Sequence, residues 1–387
     1  MKIINLDHIS SKPLLLSVQE AMIEVIKGDY GNPSSQHVLG EKSAAALEDA
    51  RESVAQLINC ANPREIVFTS GGTESVNHAI KGVALAKADQ GKHIVTTNIE
   101  HNAVLKSLRR LTSLGYQTTS VAVDNYGRVD PQKIAEAIRD DTILISVMHS
   151  NNEIGTIQPI EEIAEIAKAK NVLLHTDAVD SVGVVPIDVQ KMGVDLLSFS
   201  ANSFYGPPGS GGLYIRRGTA VWSLLDGGLQ ENKRRAGAEN LIGIVGMGVA
   251  AKLAFSEMDS RLNHLNTLRR FLLDNLPQYL DECFVNGHPE YCLPNLISLS
   301  IKYIEGESIV LMLDEENIAV STRSACASGA LRASHVLISI GCEYTDAQGT
   351  LLIAFGIDNT KEEIVRFLEE LKKAVKTLRD ISPLYKT

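Results

Sequence analysis

The stretch SFSANSFYGPPGSGGLYIRRG (198–218) decides the fold. A short apolar strand runs into the polar turn Ala201-Asn202-Ser203, then into a Gly- and Pro-rich loop and a second strand. Similar apolar runs recur along the first two-thirds of the chain, and near-continuous runs are typical of strands covered on both faces. These predicted strands are EIVFT (65–69), HIVTT (93–97), TILISVMH (142–149), VLLHTDA (172–178), DLLSFS (195–200) and GGLYIRR (211–217).

The segments between these strands are long enough for crossover helices. In VDPQKIAEAIRD (129–140), Asp130 is a candidate N-cap and Pro131 suits the first helical position. Strands that alternate with helices indicate an α/β fold whose sheet is predominantly parallel.

The last third of the chain has a different pattern. A long helical segment begins near residue 240, two strand-like runs follow, and the segment 360–380 opens with a Thr360/Glu363 capping box. This order indicates a smaller α+β domain completed by the N-terminal residues. We predict a large domain over 13–256 and a small domain formed by 1–12 and 257–387.

Composition limits the possible partners and location. The 387 residues carry a net charge of −10, which argues against a nucleic-acid partner. No apolar run reaches the length of a membrane span and the N-terminus lacks a signal-peptide pattern, so we expect a cytoplasmic protein with no membrane partner. The five scattered cysteines contain no CxxC pair, which argues against a disulfide framework or an intrachain zinc site.

Polar residues follow the predicted strands one after another, at the edge where doubly wound sheets bind ligands. Each has a local alternative, because such residues also end strands and cap helices. Their recurrence at one edge favours a shared anionic ligand with an aromatic ring, whose phosphate binds at the start of a helix. These residues are SGGTES (70–75), His101, Asn151-Asn152-Glu153, His175 and Asp177.

Seven motifs follow one another in order along the chain: FTSGGTESVNHAIKG, IEHNAVL, MHSNNEIGTIQPI, HTDAVDSVG, the opening stretch, YIEGESI and STRSACASGALRASHVL. Together they resemble the cysteine desulfurase family, pyridoxal-phosphate (PLP) enzymes of the class V aminotransferase group that supply sulfur for iron–sulfur clusters and tRNA thiolation. The resemblance implies a PLP-dependent transferase fold, with a mainly parallel, helix-covered sheet in a large domain, a smaller α+β domain, and a homodimer.

The resemblance also implies roles for individual residues. Thr73 and Ser200 match phosphate-binding positions, and Asp177 matches the partner of the pyridinium nitrogen. Asn152 matches the donor to the phenolic oxygen. His101 matches the ring that stacks on the cofactor, which makes it a candidate catalytic residue.

Five positions depart from the family pattern. Ser203 stands where the Schiff-base lysine is expected, Asn202 where a histidine contacts the phosphate, and Asp180 where a glutamine lies near the phenolic oxygen. Ala238 replaces a hydroxyl residue that reaches the phosphate from the neighbouring subunit, and Leu352 replaces the arginine that binds the substrate carboxylate. Without the lysine, we expect any PLP to be held non-covalently, with no amine to move the α-proton.

Two further residues bear on the chemistry. Lys12, in SSKPL, is expected to be a surface lysine, with a replacement base as the alternative. Cys326, in STRSACASGA (321–330), matches the family's nucleophilic cysteine, and Arg323 would favour its thiolate. It would carry a persulfide or ligate a [2Fe–2S] cluster shared with an iron–sulfur scaffold protein; the alternative is an inert cysteine in a turn.

Three functions are compatible with these residues. The first is a desulfurase-like sulfur-transfer protein of iron–sulfur cluster assembly with weak or absent desulfurase activity, because of Ser203 and Leu352. The second is an enzyme that holds PLP non-covalently and acts on a different amine or cysteine-like substrate. The third is a non-catalytic structural paralogue, in which Cys326 is dispensable.

Overall fold

The computed structural model describes residues 3–322 and 333–385. These residues form two main sheets with helices packed on them. The strands are β1 Ile4–Asn5, β2 Ile66–Thr69, β3 His93–Thr97, β4 Gln117–Val121, β5 Thr142–Ser146, β6 Leu173–Asp177, β7 Leu196–Ser200, β8 Gly211–Ile215, β9 Cys283–Asn286, β10 Leu296–Ile301, β11 Ile318–Ala319 and β12 Thr350–Ala354. The helices are α1 Leu16–Lys27, α2 Val38–Leu57, α3 Gly72–Ala86, α4 Asn102–Thr112, α5 Pro131–Ala137, α6 Ile160–Ala169, α7 Val189–Met192, α8 Gln230–Lys233, α9 Leu241–Ser256, α10 Met258–Asn275, α11 Gly306–Glu315, α12 His335–Ser339, α13 Tyr344–Gln348 and α14 Lys361–Ile381.

The larger sheet of the described chain has seven strands in the order β2-β8-β7-β6-β5-β3-β4. Only β8 runs antiparallel to its neighbours, which confirms the predominantly parallel sheet. All six strands predicted in this region form. The sequence missed β4, because this edge strand is mostly exposed and reads as the polar run QTTSV.

Both faces of the larger sheet are buried. Alternate strand residues point to opposite faces, so Ile94 packs with α3 and α4 while its neighbour Val95 packs with α2, α6 and α9. This double burial is the reason that the strands read as continuous apolar runs. Asp130 caps α5 as predicted, accepting from the Gln132 N–H at 2.9 Å.

The smaller sheet is antiparallel, in the order β12-β10-β9, and packs with α10, α11 and α14. The Thr360/Glu363 capping box at the start of α14 is present. One expectation was wrong in detail. The helical segment near residue 240 breaks at Glu257 into α9 and α10, which meet at 73°. The sequence analysis also did not predict the short strand β9.

The N-terminal segment links the two sheets. Leu6 accepts a hydrogen bond from the Ala354 N–H of β12 at 2.7 Å, and Ile9 and Leu14 pack against the core of the larger sheet. The segment therefore passes the carboxyl ends of the parallel strands before α1 begins. Those strand ends are where the candidate site lies.

Candidate active site

The loop between β2 and α3 carries the candidate phosphate-binding residues. Gly71 has φ +147°, which an L side chain rarely adopts, and the space where its Cβ would lie is open. Gly72 approaches Val179 so closely that a Cβ would lie 2.5 Å from a methyl carbon. Thr73 is exposed in the first turn of α3. Free N–H groups at the start of a 15-residue helix favour a phosphate here.

Asp177 is the buried carboxyl of the site. It ends β6, is 6 % exposed, and accepts the Val179 N–H at 3.1 Å. Burial raises the pKa of Asp177 to about 7, and the neighbouring Asp180 raises this pKa as well. A protonated ring nitrogen beside this carboxyl would stabilise its charged form. The predicted role of Asp177 therefore fits its environment.

His101 and Asn152 are held by local structure. The His101 Nδ1 accepts the Ala103 N–H at 3.1 Å and caps α4, which fixes its half-buried ring just beyond β3. Asn152 is 5 % exposed. It follows Asn151, whose Oδ1 accepts the Glu153 N–H at 2.9 Å and so closes the turn.

His175 has a structural role. Its ring lies 2.9 Å from both the Ser146 and the Ser198 hydroxyls, and so joins β5, β6 and β7. Burial lowers the pKa of His175 to about 3, so the ring is neutral at physiological pH.

Glu100 is a buried acid that the sequence reasoning missed. It is fully buried, accepts the Thr97 hydroxyl at 2.6 Å, and accepts the Met148 N–H at 3.1 Å. Burial raises the pKa of Glu100 to about 8, and Asp177 also raises this pKa. Its bonds join the ends of β3 and β5, which positions the neighbouring His101. The only sequence signal was its place beside His101.

The turn after β7 is tightly folded. Ala201–Phe204 form a short 3₁₀ helix. The Ser203 hydroxyl lies 2.7 Å from the Ser200 carbonyl oxygen and 3.2 Å from that of Val182. Asn202 Oδ1 accepts the Lys12 backbone N–H at 3.4 Å. Ser203 is thus buried with its hydroxyl bonded to main chain.

Lys12 is not a surface residue, so that expectation was wrong. It is 9 % exposed, and its Nζ donates to the Ser203 carbonyl oxygen. The Nζ also lies 5.3 Å from the centre of the Tyr205 ring. Burial lowers the pKa of Lys12 to about 8, although the Asp180 carboxylate raises it. The only sequence signal was that Lys12 is, apart from His8, the one ionisable side chain between Asp7 and Glu20.

Lys12 lines a cavity of about 90 Å³. The cavity brings together four of the predicted site residues, whereas Thr73, His101, Asn152 and Asp177 follow strands at the same edge without lining it. A larger cavity of about 560 Å³, between the turn after β10 and the C-terminal residues, contains no predicted site residue. The lining of the small cavity is His8, Ile9, Lys12, Val179, Asp180, Ser200, Asn202, Ser203 and Asn295.

The remaining predicted positions are described only in part. Leu352 is 1 % exposed in β12 and packs in the core shared with the larger sheet. Ala238 is exposed and lines a cavity of about 200 Å³ with Ser70 and Arg235. Cys326 and Arg323 lie outside the described residues.

No single helix in the described part of the chain is long and apolar enough to span a bilayer. By length and composition, only the bent pair α9 and α10 together meet that test. No group of three or more His, Cys, Asp or Glu side chains is arranged to hold a metal ion in residues 3–322 and 333–385.

The chain is similar to known proteins over nearly its whole length. It is 48 % identical over 378 residues to cysteine desulfurase IscS of Dictyoglomus turgidum (98 % of this chain and 96 % of that protein), and 47 % identical over 383 residues to that of Methanosarcina thermophila (99 % and 94 %). A solved NifS-like protein superimposes with a TM-score of 0.91 at 36 % identity, over 97 % of this chain and all of the other. The PLP-dependent transferase fold is therefore confirmed. The model of the class-V aminotransferase family matches residues 4–367, and the chain belongs to that family.

Proposed function

We propose that this protein transfers sulfur in iron–sulfur cluster assembly. In this role Cys326 carries a persulfide or ligates a [2Fe–2S] cluster, and desulfurase activity is weak or absent. The proposal rests on the similarity to cysteine desulfurases and on the motif around Cys326. The observation that carries it furthest is the attachment of the described residues on either side of Cys326.

Both flanks of the cysteine segment are tied to the candidate site. On one side, the Ser321 hydroxyl donates to Asp7 at 2.7 Å and the Ser321 backbone pairs with Leu352. On the other side, the Ser334 hydroxyl donates to Glu153, the residue after Asn152. The chain that carries Cys326 therefore leaves and re-enters the described structure beside the sheet edge that holds the polar residues.

The residues at this edge fit PLP. The loop at Gly71, with Thr73 and Ser200, would hold its phosphate, and Asp177 would pair with its ring nitrogen. His101 and Asn152 would contact the ring. When bound, PLP supplies an electron sink for bonds to the substrate's α-carbon.

Ser203 and Leu352 are the reason for expecting weak desulfuration. The Ser203 hydroxyl forms no imine, so the turn after β7 itself can hold the cofactor only by non-covalent contacts. Leu352 offers no charge to a substrate carboxylate, and a charge-assisted contact of that kind contributes about 1.5–3 kcal/mol. Asn202, Asp180 and Ala238 change further positions that the resemblance assigns to the cofactor.

The proposal includes a homodimer that works with a scaffold protein in the cytoplasm. Leu16, Val38, Trp222 and Leu229 are among the large apolar side chains that are more than 60 % exposed, and we expect a second copy to cover them. Light scattering should give twice the 42.0 kDa chain mass. A monomer at micromolar concentration would contradict this part of the proposal.

The decisive test compares Cys326→Ala with Cys292→Ala. Cys292 is half-buried in the loop before β10 and is a matched cysteine outside the motif. We expect Cys326→Ala to abolish sulfur delivery to a scaffold protein, or cluster retention in their complex, while Cys292→Ala retains both. Equal delivery by Cys326→Ala and the parent protein would refute the proposal.

A second function is favoured by Leu352 alone. Its buried apolar side chain suits a substrate amine without an α-carboxylate, or one whose carboxylate binds elsewhere. Turnover of such an amine with PLP, unaffected by Cys326→Ala, would support this function over sulfur transfer.

A further inference from the structure

A buried amine lies beside the turn in which the resemblance expects a lysine. The Lys12 Nζ donates to the carbonyl oxygen of Ser203, so it is within one hydrogen bond of the main chain at that position. Lys12 comes from the N-terminal segment, about 190 residues away in sequence, and lines the same cavity as Ser203. The amine therefore reaches the same point from another element.

The surroundings of Lys12 suit a reacting amine rather than a solvated charge. Lysine is rarely buried unless it is paired or functional. The charged and titratable groups that face it are Asp180 after β6, Arg261 on α10, His8 on its own segment and Tyr205 after the turn. Burial lowers the pKa of Lys12 to about 8, so an appreciable fraction is the neutral, nucleophilic amine near physiological pH.

The cavity beside Lys12 is large enough for a small polar group. Its volume of about 90 Å³ exceeds the ~10–15 Å³ that a cavity needs to hold one water molecule. It is lined by Ser200 and Asp180, so it adjoins the residues that the resemblance assigns to the phosphate and the phenolic oxygen. Lys12 and the residues that the resemblance assigns to the phosphate and the phenolic oxygen therefore line the same cavity.

We propose that Lys12 takes the place of the missing lysine and forms a Schiff base with the aldehyde of PLP. The neutral Nζ attacks the aldehyde carbon, a C=N bond replaces the C=O bond, and the oxygen leaves as water. No electrons are gained or lost, and no further reactant is required. This inference rests on the proposed binding of PLP. Lys12 would then anchor the cofactor in place of residue 203, and Leu352 would remain the reason for weak desulfuration.

The test is chemical trapping. The purified chain is incubated with PLP, reduced with borohydride to convert any Schiff base to a stable secondary amine, digested, and mapped by mass spectrometry. Three variants accompany the parent protein. Lys12→Met removes the amine, Lys12→Arg keeps the charge without forming the imine, and Lys42→Met removes an exposed lysine whose Nζ lies 4.4 Å from the Tyr30 ring.

We expect the pyridoxyl label on Lys12 in the parent protein and in Lys42→Met, and its loss in both Lys12 variants. The visible absorption band of the Schiff base should be lost with it. Equilibrium dialysis with PLP separates this inference from the proposed function. Retained PLP without label on Lys12, or with label spread over surface lysines, would overturn the inference alone. No retained PLP would overturn both the inference and the cofactor part of the proposed function.

Discussion

Replacing Lys12 by Met should change how stability depends on pH. Burial lowers the pKa of Lys12 from 10.5 to about 8 in the folded protein. The unfolded chain therefore binds more protons between these two values, and the native protein gains stability as pH rises through them. Because a tenfold change in a proton-binding constant corresponds to about 1.36 kcal/mol, the charged amine costs the folded state about 3 kcal/mol at pH 7. Lys12→Met removes that penalty.

The measurement is urea unfolding of the parent protein and Lys12→Met at several pH values from about 7.5 to about 9.5, a window that begins just below the folded-state pKa and ends below the unfolded-state pKa. The altered packing in Lys12→Met shifts the difference in unfolding free energy between the two proteins by the same amount at every pH. The titration of Lys12 in the parent protein makes that difference change with pH. We expect the parent protein to gain about 2 kcal/mol relative to the variant across this range. A difference that stays flat over the same range would refute a buried amine of lowered pKa at position 12.

Two other variants test separate parts of the structure. Asp177→Asn should raise the Kd for PLP about 10- to 150-fold in equilibrium dialysis, because a charge-assisted bond of about 1.5–3 kcal/mol is lost; unchanged affinity would contradict the role of Asp177. Arg51→Ala should lower the free energy of unfolding by about 3–5 kcal/mol, because it leaves the buried Glu231 carboxylate, now 2.8 Å from the guanidinium, without its cation. Denaturant unfolding measures this free energy. The double variant Arg51→Met/Glu231→Leu, which removes both charges, should be less destabilised than Arg51→Ala. An equal loss of unfolding free energy in both would contradict the view that the unpaired Glu231 carboxylate causes the destabilisation.

Strand and helix signals that are local in sequence predicted most of the fold. The strand at 93–97 forms with the predicted bounds, and the Thr360/Glu363 cap starts α14. Prediction failed where burial was weak or an element was short. The strand β4 is an exposed edge without apolar alternation, and the break at Glu257 between α9 and α10 has no Pro or Gly to mark it.

The sequence by itself determined which residues follow each parallel strand, and with them the sheet edge where Asp177, His101 and Ser200 lie. It also determined that residue 203 is a serine and that the motif around Cys326 is present. Only the tertiary structure decided that Lys12 is buried against that serine, and that Glu100 and Asp177 influence each other. Local periodicity reports how each residue faces its own helix or strand, whereas burial and pKa depend on segments that come together only when the chain folds.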